Sequence, residues 1–186
     1  MSSAFPIDGY AIASADGMIA GPDGVMPKSL QYEADHRFVE AALEKVDLVA
    51  HGRNSYEGHT NSPARRRFWM TRSVAALELR PGETRQWNWN PEGLPLEDAC
   101  RAVGLISGQI AILGGTSAYD LFLPVYRAFN LCRAERVKIP GGTPVFSAIR
   151  AGQSPEQVLR HNGLFAESTR TLDAALGVTL TRWVRS

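Results

Sequence analysis

Two glycine-bearing turns carry the first chemical signal in this chain. Leu113-Gly114-Gly115-Thr116-Ser117-Ala118-Tyr119 lies between an apolar run and a helical pattern. Glycines at such a junction let a ligand approach the backbone, and the amides that open a helix favour an anion such as pyrophosphate. A plain strand-to-helix turn uses the same residues, so the spacing alone does not choose between the two. Gly52-Arg53-Asn54-Ser55 repeats the arrangement. Arg53 can pair with a phosphate in a bidentate fashion, and Asn54 or Ser55 can cap a helix. The ordinary alternative is a solvated arginine beside a cap. A pair of phosphate-type turns in one small chain points toward a dinucleotide. No strand is followed by G-x-G-x-x-G, so that ligand must lie across both βα turns instead of in a Rossmann pocket.

Ser14-Ala15-Asp16-Gly17-Met18-Ile19-Ala20-Gly21 is a third candidate. Its glycines permit motion and Met18-Ile19 is awkwardly apolar for an exposed loop, which suits a lid over a bound cofactor. A wide turn whose apolar pair tucks into the core fits equally well. Asp35, beside the apolar Phe38, could orient a ring nitrogen or assist protonation. Spacing alone favours an exposed carboxylate in an early helical turn. Other chemistry is not readable: His36, His51, His59 and His161 form no HExxH or H-x-E pattern, and neither cysteine lies in C-x-x-C, so no metal site is expected. No G-x-S-x-G elbow or Walker loop is present. Arg65-Arg66-Arg67 reads as a solvated face, and Trp87 and Trp89 receive no role.

The elements that must hold these turns alternate. Residues 5–14, 47–51, 67–71, 109–113, 129–139, 164–170 and 176–184 read as strands, while 32–46, 96–106 and 116–126 read as helices. Residues 80–95 combine turn chemistry with two tryptophans and should be ordered. Strand, helix, strand alternation argues for an α/β fold with a largely parallel sheet, to which the last two β segments could add an antiparallel edge.

Composition sets the outer limits. The 186 residues carry 20 Lys+Arg and 19 Asp+Glu, a formal net charge of +1. That removes the electrostatic argument for a nucleic acid or an anionic membrane surface as partner. With 44% hydrophobic and 21% charged residues, the chain reads as one globular domain over 1–186. It lacks an apolar run of the roughly 20 residues a membrane span needs. MSSAFPIDGY has no signal-like character, and Cys100 and Cys132 alone suit a reducing cytoplasm.

Taken together, the motifs resemble the dihydrofolate reductase-like superfamily, closest to the reductase domain of bacterial bifunctional riboflavin-biosynthesis deaminase/reductases and its stand-alone relatives. The resemblance rests on Ser14-x-Asp16-Gly17-x-Ile19-Ala20-Gly21, Asp35-x-x-Phe38, Gly52-Arg53-Asn54-Ser55-Tyr56, and Ile112-Leu113-Gly114-Gly115 with Tyr119 following, continuing into Gly141-Gly142-x-x-Val145-Phe146. It implies a mixed, mostly parallel sheet of about eight strands flanked by helices. It also implies NADPH as cofactor. Gly52, Arg53, Asn54 and Ser55 would hold phosphates from one side, with Thr71 and Arg72 near the adenosine end. Gly114, Gly115, Thr116, Ser117 and Ala118 would hold the pyrophosphate with Tyr119 packed close by, and Ile19 and Ala20 would cover the nicotinamide. Asp35 falls near the place of the folate-binding carboxylate. Two departures turn the expectation away from folate. Pro27 is followed by Lys28 where folate reductases carry Trp, and Gly141-Gly142-Thr143-Pro144 replaces their late acidic-Thr signature. The expected activity is hydride transfer to a small heterocyclic or ribosylamino-pyrimidine substrate. Dihydrofolate reduction and nucleotide binding without catalysis stand as alternatives, and a homodimer is compatible with all three.

Overall fold

In the computed structural model, which describes residues 4–53, 55 and 64–186, every residue of β1 (Ile7–Ser14) is buried. A strand covered on both faces belongs in the middle of a parallel sheet. It pairs in parallel with β7 (Ile110–Ile112) on one side and β8 (Ala128–Ala134) on the other. Beyond β7 come β3 (Leu48–Gly52), β4 (Arg66–Met70) and β6 (Gln86–Trp89), all parallel. Antiparallel strands finish both edges: β5 (Leu77–Leu79) beside β6, and β11 (Val178–Arg185) then β10 (Leu164–Asp173) beyond β8. The order is β10-β11-β8-β1-β7-β3-β4-β6-β5. A separate ribbon pairs β2 (Met18–Ala20) with β9 (Thr143–Pro144).

The main sheet has nine strands, in keeping with the expected mixed, mostly parallel sheet of about eight. The strands that no apolar run had marked are β5 and β6, where Trp87 and Trp89 alternate as strand residues of β6 and Trp89 is fully buried against Phe68. Several expected elements are shorter than their patterns, the helices expected over 32–46 and 96–106 running only Glu33–Leu43 and Leu96–Ala102. The helix from Thr116 ends at Phe122, and the strand from 129 ends at Ala134, because Pro124 and the 135–142 turns close them.

Alternation along the strands divides the core into two layers. Ala11, Ala13, Leu48, Ala50, Ile110 and Ile112 face α2 (Leu96–Ala102), α3 (Thr116–Phe122) and α4 (Pro155–His161). Tyr10, Val49 and Ala111 face α1 (Glu33–Leu43) through Phe38, Val39, Ala42 and Leu43. At the amino end of β1 the buried Asp8 accepts from Arg127 Nε at 2.9 Å and from Gln109 Nε2 at 3.0 Å, tying the starts of three parallel strands together. Among the described residues, no helix is long and apolar enough to cross a membrane.

Phe129 anchors the larger layer. Its ring meets those of Tyr119, Tyr126 and Phe146 at centroid distances of 5.2–5.4 Å. Gly9 makes room for it, since a Cβ there would lie 2.3 Å from the ring. Phe129→Ala is expected to cost about 3–5 kcal/mol of stability, as large-to-small changes at fully packed aromatics do. Urea unfolding checks this.

Candidate active site

The sheet's connectivity creates a crevice. From β3 the chain moves outward to β4, whereas from the adjacent β7 it returns past β1 to β8. In open α/β sheets ligands sit outside the carboxyl ends of strands where such connections diverge. Both glycine turns are at those ends.

Their backbones meet directly. The Gly52 N–H donates to the Gly114 carbonyl, and a Cβ on Gly52 would stand 3.2 Å from the Gly115 nitrogen. Gly114 has φ +98°, which favours glycine, and Tyr119 lies 3.1 Å from where its Cβ would be. The Gly114–Gly115 peptide is cis. Gly115 differs from both: a Cβ there would meet nothing within 4 Å. The space above it is open, and the Thr116 and Ser117 amides that open α3 have no helical carbonyl to bond.

Around this pair the expected cofactor residues divide into facing and supporting groups. Arg53 is exposed and Ser55 half-buried, its N–H donating to the Gly52 carbonyl at 3.2 Å; Asn54 lies outside the described residues. Thr71 and Arg72 follow β4 at the same edge, where Arg72 pairs with Glu92 at 3.2 Å and both are exposed. Ser117 is exposed, but the Ala118 side chain is buried in the core and its N–H donates to the Gly115 carbonyl at 2.9 Å, which makes it a support of the turn. The Thr116 hydroxyl donates to the Pro144 carbonyl and so fastens β9 to the turn. Tyr119 is buried beneath the turn, donating its hydroxyl to the Tyr10 carbonyl at 2.5 Å. It supports the turn from below.

The 14–21 segment is anchored. Ser14 Oγ donates to Asp16 and accepts from the Met18 N–H at 2.9 Å, and Asp16 accepts from the Ile139 N–H at 3.0 Å. Burial works against ionisation of Asp16, but these bonds and Lys138 outweigh it and hold its carboxyl below the usual range. Ile19 packs partly against the core and Ala20 is buried, which matches the tucked turn.

Asp35 departs from the surface position that its spacing favoured. It is half-buried, and its Oδ1 is inaccessible with no hydrogen-bond partner. Burial pushes its carboxyl above the usual range, opposed by a hydrogen bond from the Cys132 thiol and by His36. Helical periodicity could not show this, because the covering residue Cys132 belongs to β8, almost a hundred positions away.

No protein-family model matches the sequence, and no curated protein matches it. Solved structures do match in three dimensions. A Shewanella sp. PV-4 protein described as a riboflavin biosynthesis protein is 17% identical, with TM-score 0.62 over 97% of this chain and 99% of that one. A diaminohydroxyphosphoribosylaminopyrimidine deaminase/5-amino-6-(5-phosphoribosylamino)uracil reductase from Thermotoga maritima is 14% identical, with TM-score 0.64 over 97% of this chain and 56% of that one. This chain therefore spans little more than half of that protein's length. Dihydrofolate reductase from Enterococcus faecalis, complexed with NADP(H), is 10% identical, with TM-score 0.58 over 97% of this chain and 96% of that one. The chain has the dihydrofolate reductase-like fold.

Within this dihydrofolate reductase-like fold, the sequence motifs had missed a buried pair beside the Gly52 turn. Arg67 is only 2% exposed, which corrects its reading as part of a solvated arginine face. Alternation along β4 turns it inward, where its Nη1 donates to His51 Nε2 at 2.9 Å. Arg65 is also covered, pairing with Glu44 at 2.8 Å. The arginine run gave no signal of this, since its neighbours come from other strands.

Proposed function

We propose that this protein is an NADPH-dependent reductase of the riboflavin-pathway reductase type, delivering hydride to a C=N or C=O group of an aminopyrimidine or another small heterocycle. The observation that carries the reading is the pair of glycine turns, hydrogen-bonded to each other at the crevice, with open space where a Gly115 side chain would project. That arrangement fits a pyrophosphate held by backbone amides. Gly114, Gly115, Thr116 and Ser117 would hold it from one side, and Gly52, Arg53 and Ser55 from the other. Ile19 and Ala20 would border the nicotinamide end. The bound cofactor would supply the hydride, and the protein positions the reactants. Asp35 gives the substrate end its polarity. Its carboxyl, raised by burial, would retain a proton for a ring nitrogen to a higher pH than an exposed one.

Titration with NADPH, followed by loss of nicotinamide absorbance across a panel of aminopyrimidines, tests the proposal. Saturable binding and turnover of a panel member support it, and a flat titration overturns it. Turnover of dihydrofolate, blocked by methotrexate, would move the substrate to folate.

Arg53 gives a sharper expectation about the cofactor. It is exposed at the crevice near Thr71 and Arg72, a charged setting suited to a 2′-phosphate. Arg53→Ala is expected to weaken NADPH by roughly 10- to 150-fold, the equivalent of one charge-assisted contact of about 1.5–3 kcal/mol, and NADH much less. Dissociation constants for both cofactors decide it, and equal losses would show that Arg53 does not read the 2′-phosphate.

A further inference from the structure

We propose that His51 is a positioning residue of the cofactor site, passing a hydrogen bond from Arg67 to the Gly52 carbonyl and so orienting the turn that faces Gly114-Gly115. The inference rests on reading the paired turns as the cofactor site.

His51 closes β3, is 1% exposed, and makes two polar contacts. Its Nδ1 lies 2.8 Å from the Gly52 carbonyl and its Nε2 lies 2.9 Å from Arg67 Nη1. A guanidinium can only donate, so Nε2 must accept, and the remaining ring proton must sit on Nδ1 and be donated to Gly52. The ring is therefore a neutral imidazole in one tautomer. Trp69 holds it edge-on at a centroid distance of 4.3 Å, and the Arg80 guanidinium lies over the ring of that tryptophan at 4.4 Å. Burial, followed by the charges of Arg67 and Arg80, pushes its pKa down to about 4 against the opposing Gly52 bond, so the neutral form persists at physiological pH. Gly52 is thereby held at both ends: its carbonyl by His51 and its N–H by the Gly114 carbonyl. The carbonyl that His51 holds belongs to the Gly52–Arg53 peptide, so losing that bond would free this peptide to rotate and turn the Arg53 N–H, next to the Gly52 N–H that bonds Gly114. The relay runs from Arg67 through His51 and Gly52 to the glycine pair.

Two amide variants separate the halves of the relay. In His51→Asn the amide nitrogen falls near the place of Nδ1, keeping the bond to Gly52 and losing Arg67. In His51→Gln the amide falls near Nε2, keeping Arg67 and losing Gly52. Both are expected to lower the melting temperature. Only His51→Gln is expected to weaken NADPH, by roughly 10-fold as for one lost hydrogen bond, with kcat at saturating NADPH unchanged. Equal losses in the two variants, or none in His51→Gln, would overturn the positioning role. Should either variant not fold, nitrogen-15 NMR of the wild-type imidazole still decides, since a proton on Nε2 instead of Nδ1 breaks the relay. Wild-type protein that does not bind NADPH overturns the proposed function itself, and this inference with it.

Discussion

Gly115→Val is expected to abolish NADPH binding and leave a folded protein. Gly115 has φ −76°, a conformation any residue adopts, and its Cβ would meet nothing within 4 Å. The fold thus has no steric objection to the side chain. The ligand does, because a branched side chain would fill the space assigned to the pyrophosphate and screen the amides behind it. Loss of two or more charge-assisted bonds, each worth about 1.5–3 kcal/mol, takes affinity down by more than roughly 100-fold. Far-ultraviolet circular dichroism should stay native while the NADPH titration goes flat. Gly114→Ala provides the contrast, since φ +98° and the nearby Tyr119 make that substitution a folding defect first. A Gly115→Val protein that fails to fold would show that the pair merely makes a turn, and one that binds NADPH normally would place the cofactor elsewhere.

Asp35→Asn carries the other large expectation. The substitution keeps the shape and removes the charge from a half-buried group whose Oδ1 has no partner. A positioned acid or base contributes about 10²–10⁴-fold, so turnover should fall by that order while the NADPH dissociation constant stays unchanged. A carboxylate acting only on its helix would give the opposite result. Its removal would cost about 0.3–1 kcal/mol of stability and leave turnover intact. Relief of an unpartnered buried carboxyl could even raise the melting temperature. Measuring turnover, NADPH affinity and melting temperature for this one variant separates the roles, and full activity returns Asp35 to structure.

How much of this was readable before folding depends on the range of each cause. Apolar runs and turn glycines act locally, so the sequence placed β1, β3, β7, α1 and the glycines that close β3 and β7 close to their observed positions. Gly114 and Gly52 were legible for a physical reason. A positive φ and a close backbone approach exclude most side chains, and that exclusion is written at the position itself. The hairpin of β5 and β6 was less legible, because each strand is short and Trp87 and Trp89 acquire their role only when Phe68 and Phe122 arrive beside them.

Burial of polar groups was the part that sequence left open, and it decides the chemistry. Asp35 reads as a surface carboxylate along α1, and only β8, bringing Cys132 against it, makes it a desolvated acid raised above the usual range. Arg67 reads as one of three exposed arginines until the parallel register sets β3 beside β4 and gives it His51. Ile19 fits a lid and a tucked turn equally well until β9 pairs with its segment. The sequence by itself determined where the backbone turns and which faces are apolar, since those follow from neighbouring residues. Tertiary structure alone decided which charges lose their water and what faces them, because desolvation is set by residues far apart in the chain that meet only when the sheet forms.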